Sequence, residues 1–246
     1  GMHFGYFENP QGKRDGHVES IVRLSQEVIE FADIKPGSIV LDAGCGVGAI
    51  TFEAAKRHDT RVLGINISTD QLRIAKEFKQ AFDLRNVSFL ERDYSQTGFE
   101  GESFDRILFC ESLFHSLNKS KVISEVRRLL KPGGRIAIAD FFLNHRLIWE
   151  QMRSVSLFEK GWFGKVTTIE SIEDILKDGG FSNLEVLNIT KNVTPSVSLA
   201  AQSAREHRDD RSVGPLRRNH RSSTILLEEL MKHKKIGYYL VGAKVA

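Results

Sequence analysis

The stretch IVLDAGCGVGAIT, residues Ile39 to Thr51, decides how the rest of the chain is interpreted. A short apolar run contains Asp42 near its end, and Gly44, Gly46 and Gly48 then alternate with small residues before a helix-forming segment. This pattern predicts a strand, a tight turn and a helix. Because glycine has no Cβ, such a turn can bend sharply and bring a ligand against the main chain, while free amide groups at the helix start point toward that ligand. The sequence therefore predicts a ligand-binding loop.

Two classes of cofactor fit a glycine-rich turn of this kind. The spacing Gly44-x-Gly46-x-x-Ala49 matches the loose dinucleotide-binding pattern, which is weak evidence on its own. A nicotinamide dinucleotide also needs an acidic residue about 20 positions later to bind its ribose. Residues 64–68 read GINIS and contain no acid. An amphipathic helix over residues 18–33 also precedes the turn, whereas dinucleotide enzymes tend to begin with it. Both observations disfavour a dinucleotide.

The composition fits one globular α/β domain with an insertion. Of the 246 residues, 41% are hydrophobic and 27% are charged, which allows a substantial core. The net charge of +3 is too small to indicate a nucleic-acid-binding protein. The two cysteines, Cys45 and Cys110, indicate a reducing compartment rather than a disulfide framework. With no apolar run near the ~20 residues of a membrane span and no signal-peptide pattern, we expect a cytoplasmic protein without membrane contact.

Further motifs follow the glycine turn in a fixed order. They are VLGINISTDQ (62–71), ERDY (91–94), ESLFH (111–115) and LKPGGR (130–135). Together with LDAGCGVG (41–48), they resemble the motifs of class I S-adenosylmethionine-dependent methyltransferases across about residues 1–190. The resemblance implies an α/β fold, with a Rossmann-like, doubly wound, seven-stranded mixed sheet whose last strand is antiparallel, and a helical cap insertion. It also implies S-adenosyl-L-methionine as cofactor and S-adenosyl-L-homocysteine as product.

The resemblance also implies which residues hold the ribose of the cofactor. Most class I methyltransferases have an acid at the end of the second strand, where this chain has Asn66. This departure is shared by a subgroup that includes sterol and tocopherol methyltransferases and certain sugar O-methyltransferases, in which a glutamine follows one helical turn later. Gln71 matches that glutamine. Because an amide can donate to and accept from hydroxyl groups, Asn66 and Gln71 are predicted to bind the ribose.

Other cofactor contacts are implied by position. Asp93 stands where the family places an acid on the adenine amino group, and Tyr94 can lie against the ring, although an acid after a strand is often only a turn former. Tyr6 lies in the aromatic stretch HFGYF (3–7), which resembles the start of relatives whose tyrosine reaches the amino-acid end of the cofactor; the alternative is a frayed terminus. The complete predicted cofactor site is Tyr6, Asp42, Gly44, Gly46, Gly48, Asn66, Ile67, Gln71, Asp93, Tyr94 and Cys110.

Candidate catalytic residues follow the fourth predicted strand. Ligands of doubly wound sheets bind beyond the carboxyl ends of the strands, which places Glu111 and His115 at the reaction centre. Histidine can accept a proton at neutral pH, but a lone histidine is more often structural, so its role depends on the resemblance. In similar sugar O-methyltransferases the matching histidine is paired with an acid that ends the fifth strand, where this chain has Asp140. His115 is therefore the predicted general base, Asp140 its partner, and Glu111 a rival base or a substrate anchor.

The chain divides into four predicted regions. They are an N-terminal lid (1–17), a cofactor-binding core (18–143), a cap insertion (144–166), and the remainder of the core (167–246) with a helical cap segment at about 195–235. The aromatic-rich stretch from Phe141 to Lys165 lies at the carboxyl edge of the predicted sheet, where it would line an apolar pocket. We therefore expect an apolar or aromatic acceptor.

The sequence predicts methyl transfer to an oxygen or carbon of a small natural-product metabolite. It contains no metal-ligand spacing, and a homo-oligomer is possible. One alternative is an RNA methyltransferase that uses the basic stretch Arg205–Arg221. The sequence ESLF, at the place where many nucleic-acid amino-group methyltransferases have N/D-P-P-Y/F, argues against that alternative. A non-catalytic cofactor-binding module is the second alternative.

Overall fold

A computed structural model describes residues 3–9, 16–57, 60–207, 212 and 214–245 of the chain. The strands are β1 Ile39–Ala43, β2 Arg61–Asn66, β3 Val87–Glu91, β4 Phe104–Cys110, β5 Leu130–Leu143, β6 Phe181–Asn188 and β7 Ile236–Val245. The helices are α1 His17–Phe31, α2 Ala49–Arg57, α3 Thr69–Ala81, α4 Lys119–Leu129, α5 Trp149–Trp162, α6 Ile169–Asp178, α7 Thr190–Glu206 and α8 Pro215–Lys232. A short 3₁₀ helix covers Leu113–His115.

The strands form one seven-stranded sheet in the order β3-β2-β1-β4-β5-β7-β6. Strands β1 to β5 are parallel where they pair with one another, and β7 runs antiparallel to both β5 and β6. The central strands are buried almost throughout because helices cover both faces of the sheet. The predicted seven-stranded mixed sheet with an antiparallel last strand is thus confirmed.

The strand order places a crevice at the carboxyl ends of β1 and β4. These strands are neighbours, yet β2 and β3 lie on the far side of β1 and β5 lies on the far side of β4. The chain therefore leaves the ends of β1 and β4 in opposite directions, and the connecting segments separate there. In open α/β sheets, ligands bind at this reversal of strand order. The predicted glycine turn follows β1, and the predicted catalytic residues follow β4.

Helix α7 begins earlier than the sequence predicted. The sequence pair Thr194-Pro195 is typical of a helix start and predicts one there, but the helix starts at Thr190 and Pro195 lies inside it. A proline inside a helix removes one hydrogen bond and crowds the preceding turn. Buried Val193 and Val197 of α7 compensate by packing in the core, and the Thr194 hydroxyl donates to the Thr190 carbonyl at 2.7 Å. The packing of these valines in the core therefore outweighs the preference of Pro195 for the first turn of a helix.

Helices α6 and α8 also differ from prediction. The spacing Thr167-x-x-Glu170 predicts a capping box with Thr167 as the cap of α6, but the cap is Thr168, whose hydroxyl accepts from the Ser171 amide at 3.0 Å. Thr167 is instead bound to the end of β5, where its carbonyl accepts from the Leu143 amide at 2.9 Å. Helix α8 starts at Pro215 rather than near residue 223, because proline is favoured in the first helical turn.

The described N-terminal segment, residues 3–9, packs between α1 and α7. The amide of Tyr6 donates to the Ser20 carbonyl of α1 at 2.8 Å, and that of Phe7 donates to the Asn192 carbonyl of α7 at 2.9 Å. Gly5 lies so close to α1 that a Cβ would be 2.0 Å from the Ser20 hydroxyl, so only glycine fits there. Phe4 and Phe7 are buried. Residues 10–15, which belong to the predicted lid, lie outside the described residues.

Candidate active site

A cavity of about 210 Å³ lies at the carboxyl ends of β1 and β4. Most of the predicted site residues line it, although they come from four separate parts of the sequence. The predicted residues in the lining are Asp42, Gly44, Gly46, Asn66, Ile67, Gln71, Tyr94, Cys110, Glu111 and His115. The cavity is small beside the roughly 300–1,000 Å³ of typical small-molecule sites.

The glycine turn brings bare main chain to this cavity. Gly44 has φ +82°, and a Cβ on it would lie 2.5 Å from the Cβ of Ser112. The Ser112 hydroxyl donates to the Ala43 carbonyl at 2.6 Å, which ties the end of β4 to the end of β1. Any side chain at position 44 would separate these strand ends, so the glycine is required by close approach. Gly48 lies outside the lining, against the rings of Phe52 and Phe89.

Asp42 contributes a buried carboxyl group to the lining of the cavity. Only 2% of the residue is exposed, and the Thr51 hydroxyl donates to its Oδ2 at 2.5 Å. Burial raises the pKa of Asp42 to about 6, and the Thr51 hydrogen bond partly opposes that shift. A cation in the cavity would offset the cost of burying the carboxylate. The position therefore suits a ligand that carries an ammonium or sulfonium group.

Asn66 and Gln71 form a joined pair of amides beside the turn. The Asn66 Nδ2 atom donates to Gln71 Oε1 at 2.6 Å, and Asn66 Oδ1 accepts from the Ile67 amide at 2.8 Å. The Gln71 amide nitrogen of the main chain is in turn held by the Ser68 cap of α3. This arrangement fixes Asn66 and leaves the side-chain NH₂ group of Gln71 available to a hydroxyl-bearing ligand.

Tyr94 and Asp93, which are adjacent in sequence, lie in different environments. Tyr94 lines the cavity, and its hydroxyl donates to the Ser112 carbonyl at 3.0 Å. Asp93 is exposed and lies outside the lining, and its Oδ1 accepts from the Ser95 amide at 2.7 Å. This hydrogen bond is the one expected of a turn former. The adenine contact of Asp93 therefore stays a prediction.

Glu111 sits at the edge of the cavity in a strained conformation. Its φ of +50° lies in the left-handed region, which non-glycine residues seldom adopt outside functional sites and tight turns. Its Oε1 accepts from the Phe4 amide at 2.9 Å and from the Tyr238 hydroxyl at 3.0 Å. Burial raises the pKa of Glu111 to about 8, so most of this carboxyl group is protonated at neutral pH.

His115 lines the cavity and is held by a main-chain group. Its Nδ1 lies 3.1 Å from the carbonyl oxygen of Phe163, which follows α5. Because a carbonyl can only accept, Nδ1 carries the proton, and the neutral ring then has a free lone pair on Nε2. The Lys165 amide donates to the Phe114 carbonyl at 2.8 Å, and Gly164 lies directly against the Phe114 ring. These contacts fix the end of α5 over His115.

Asp140 does not make the predicted contact with His115. Its Oδ2 accepts from the Phe114 amide at 2.8 Å and its Oδ1 from the Phe141 amide at 2.9 Å. The side chain is buried beneath the 3₁₀ helix, outside the cavity lining, and burial raises the pKa of Asp140 to about 6. Asp140 and His115 therefore share no hydrogen bond, although their charges lie close enough to interact, and the role of Asp140 in orienting His115 stays a prediction. Both oxygens instead hold main-chain amides, one of them from the 3₁₀ helix that carries His115.

In the N-terminal segment, the structure places His3 rather than Tyr6 at the cavity. Tyr6 lies outside the lining, near Glu27 and Arg23 of α1. The Nδ1 of His3 contacts the Phe4 carbonyl at 2.8 Å and its Nε2 contacts the Ser25 hydroxyl at 3.2 Å. Burial lowers the pKa of His3 to about 4, so the ring is neutral. His3 belongs to the stretch HFGYF (3–7), but no periodicity in that stretch indicates which of its rings faces the cavity.

The aromatic residues of the predicted cap divide between core and surface. Phe141, Phe142 and Phe158 are buried, and the first two belong to β5 rather than to the insertion. Met152 and Phe163 are exposed. Trp162 packs against Phe141 and against the N-terminal Phe4. The side chain of Trp149 lies outside the described residues, and the role of this stretch as the lining of a pocket for an apolar acceptor stays a prediction.

The predicted basic stretch Arg205–Arg221 spans the end of α7 and the start of α8. Arg205 forms an ion pair with buried Glu228, and Arg221 donates to the His207 carbonyl at 2.6 Å. Residues 208–211 and 213 lie outside the described part. Within that part no cluster of three or more metal-ligating side chains occurs, and no helix is long and apolar enough to span a bilayer.

Comparisons with known proteins show the family of this chain. A family model described as a methyltransferase domain matches residues 34–195. O-methyltransferase cnsE of Penicillium expansum is 30% identical over 201 residues, covering 80% of this chain and 71% of that protein. Methyltransferase GfsG of Streptomyces halstedii is 31% identical over 202 residues, covering 79% of this chain and 70% of that protein.

One solved structure shows the same fold. It is geranyl diphosphate C-methyltransferase from Streptomyces coelicolor A3(2), in complex with Mg²⁺, geranyl-S-thiolodiphosphate and S-adenosyl-L-homocysteine. The TM-score is 0.81 at 17% sequence identity, and the alignment covers 100% of this chain and 88% of that chain.

Proposed function

The chain belongs to the methyltransferase-domain family and is an S-adenosylmethionine-dependent methyltransferase of small molecules, and we propose that it methylates a hydroxyl group of an aromatic natural-product metabolite, with His115 as general base. The observation that carries this proposal is the Phe163 carbonyl at 3.1 Å from His115 Nδ1, which leaves Nε2 free to accept a proton at the cavity. Transfer to carbon is the second candidate, since the fold is shared with a C-methyltransferase.

The residues around the cavity fit S-adenosylmethionine. The main chain at Gly44 and Gly46 would lie against the cofactor. Buried Asp42 would pair with the ammonium group at the amino-acid end of the cofactor. Gln71, positioned by Asn66, would bind a ribose hydroxyl of the cofactor, and Tyr94 would lie against its adenine. When bound, the cofactor supplies the methyl group on a sulfonium, which is a good leaving group and needs no help from a protein acid.

The contribution of the protein is alignment and proton removal. His115 Nε2 takes the proton of the acceptor hydroxyl as the new carbon–oxygen bond forms, and the electron pair of the broken carbon–sulfur bond stays on sulfur. Since Glu111 is mostly protonated at neutral pH, it is the weaker candidate for the base and instead positions the acceptor. Proximity and orientation of this kind account for much of the rate of group transfer between two bound molecules.

The alternative functions are not favoured. RNA methylation through Arg205–Arg221 finds no support in the comparisons, and Arg205 forms an ion pair with Glu228. A non-catalytic module would not require a strained Glu111 beside a cavity that also exposes His115.

The test is a screen of phenolic and polyketide acceptors with methyl-tritiated S-adenosylmethionine. A labelled methyl ether is the expected product. Label recovered only in RNA, or no transfer to any acceptor by protein that binds the cofactor, would contradict the proposal.

A further inference from the structure

The ring of Phe4 fills an aromatic slot beside the cavity. It stacks on Trp162 with ring centroids 5.7 Å apart and an interplanar angle of 22°, and it meets Phe141 edge-on at 5.6 Å. Tyr238 packs against the other side of Phe141 at 4.8 Å. The slot is therefore flat and walled by rings, which is a shape that suits a planar aromatic group.

The slot adjoins the part of the cavity that is lined by Glu111 and His115. Glu111 lines the cavity and also accepts the Phe4 amide at 2.9 Å, and His3, the residue before Phe4, lines the cavity as well. Cys110 and His115 lie in the same lining. A ring in the slot would thus lie next to the groups to which the transfer chemistry is assigned.

The contacts of Phe4 are those that a small ligand would make. Its ring supplies the apolar surface, and its amide supplies a hydrogen-bond donor to Glu111 Oε1. Phe4 comes from a segment that is tied to the body of the protein at the next residues, since the Gly5 amide donates to the Ser196 hydroxyl at 2.9 Å and the Tyr6 amide to the Ser20 carbonyl. Between these ties and the contact of His3 with Ser25, Phe4 is held by its ring contacts and by its amide hydrogen bond to Glu111.

Trp162, whose indole face Phe4 covers, has a polar atom whose hydrogen-bonding capacity is unused. Among the described residues, two buried side-chain nitrogens have no hydrogen-bond partner, and one of them is Trp162 Nε1. A buried indole N–H normally finds an acceptor, and leaving it without one is costly. A phenylalanine side chain offers none, whereas an oxygen-bearing ligand would. The unsatisfied donor therefore points to an occupant other than Phe4.

We propose that the space filled by the Phe4 ring is the ring site of the methyl acceptor, which is a planar aromatic compound with a donor that replaces the Phe4 amide on Glu111 and an oxygen that accepts from Trp162. This inference rests on the proposed function for the identity of the neighbouring cavity. Phe4 and the acceptor compete for one site. The apparent affinity for the acceptor is therefore its intrinsic affinity multiplied by the fraction of time that Phe4 leaves the slot free.

A matched pair of probes tests the proposal without knowledge of the true acceptor. N-(2-phenylethyl)acetamide reproduces the ring and amide of Phe4 with the same link of carbon atoms, and its N-methyl derivative lacks the donor. Each is titrated by calorimetry into protein saturated with S-adenosyl-L-homocysteine, with saturation measured separately for every variant. The proteins are the wild type, Phe4→Ala, and the control Phe99→Ala, which removes a half-buried ring beside Phe104, outside the slot.

The amide probe should bind Phe4→Ala at least about tenfold more tightly than it binds the wild type. Its affinity for Phe99→Ala should equal its affinity for the wild type. The N-methyl probe should bind Phe4→Ala at least about tenfold more weakly than the amide. In a Trp149→Phe background Trp162 is the sole tryptophan, and the amide probe should change its fluorescence. Equal affinity of the probe for wild type and Phe4→Ala, equal affinity of the two probes, or unchanged Trp162 fluorescence would overturn the inference. Failure of wild-type protein to bind S-adenosyl-L-homocysteine would instead contradict the proposed function.

Discussion

The Nδ1 atom of His115 lies 3.1 Å from the carbonyl oxygen of Phe163. Phe163 ends α5 in the left-handed conformation, with φ +53°, and this turn aims its carbonyl at the imidazole. The contact fixes the tautomer of His115 in the way that a carboxylate does in many catalytic pairs. Since a carbonyl carries no full charge, it stabilises a protonated imidazole less than a carboxylate would. The carbonyl therefore supplies orientation, while charge stabilisation falls to the Asp140 carboxylate, which interacts electrostatically with His115.

Replacement of His115 by alanine should lower kcat by about 10²- to 10⁴-fold, because proton removal from the acceptor is then left to water. The affinity for S-adenosyl-L-homocysteine should stay within about threefold, since other residues of the cavity hold the cofactor. The measurement is transfer of tritiated methyl to an acceptor found by screening, together with calorimetry. His233→Ala, which removes an exposed histidine after α8, is the control. Unaltered transfer by a folded His115→Ala protein would remove His115 from the mechanism.

Asp140→Asn should affect stability more than chemistry. An asparagine can accept only one of the two main-chain amides that Asp140 now holds, and the other amide would face an NH₂ group. We expect a loss of about 1–3 kcal/mol in the free energy of unfolding, measured by urea denaturation. The pH dependence of kcat should keep its shape. A drop in kcat of about 10⁴-fold with unchanged stability would restore Asp140 as the partner of His115.

Cofactor binding should depend on pH through Asp42. Burial raises the pKa of Asp42 to about 6 in the free protein, and a cationic ligand binds the ionised form. S-adenosyl-L-homocysteine has no sulfonium, but its amino-acid end carries an ammonium group, so its affinity should be constant from about pH 7 to pH 8 and fall up to about tenfold for each pH unit below about pH 6. Calorimetry across this range should show that Asp42→Asn binds more weakly and without that dependence. The same pH dependence in Asp42→Asn would assign the titration to another group.

Asn66 and Gln71 should act as one unit in cofactor binding. Asn66→Ala and Gln71→Ala should each weaken S-adenosyl-L-homocysteine binding about five- to tenfold, because each change disrupts the same amide pair. The double variant should lose much less than the product of the two single effects. Gln80→Ala, on the exposed side of α3, is the control. Multiplicative losses in the double variant would show that the two amides bind independently.

The sequence predicted those features of the fold that depend on local pattern. Two apolar runs, which end at Asn66 and Cys110, predict strands, and the glycines after Ala43 predict a turn. Together they place most of the cavity lining correctly. The start of α7 was missed because Pro195 gives a strong local signal that buried Val193 and Val197 override. The start of a helix depends on packing partners that are distant in sequence.

The contacts that set the chemistry were harder to predict. Phe163 holds His115 through a main-chain carbonyl, and a carbonyl leaves no trace in residue type. Asp140 stood at the position that the resemblance assigned to the partner of His115, yet its oxygens are used by two amides of the backbone. Likewise, nothing in the stretch from His3 to Phe7 distinguishes the ring that faces the cavity from those that face α1. These assignments require three-dimensional distances.

The tautomer of His115 tests the account most directly. The measurement is the ¹⁵N–¹H correlation spectrum of the histidine side chains in mildly alkaline buffer with bound S-adenosyl-L-homocysteine, with the His115 signals assigned by their absence in His115→Gln. The account predicts a proton on Nδ1 and an unprotonated Nε2. A proton on Nε2 of His115 would contradict it, because no lone pair would then be available at the cavity to receive the acceptor's proton.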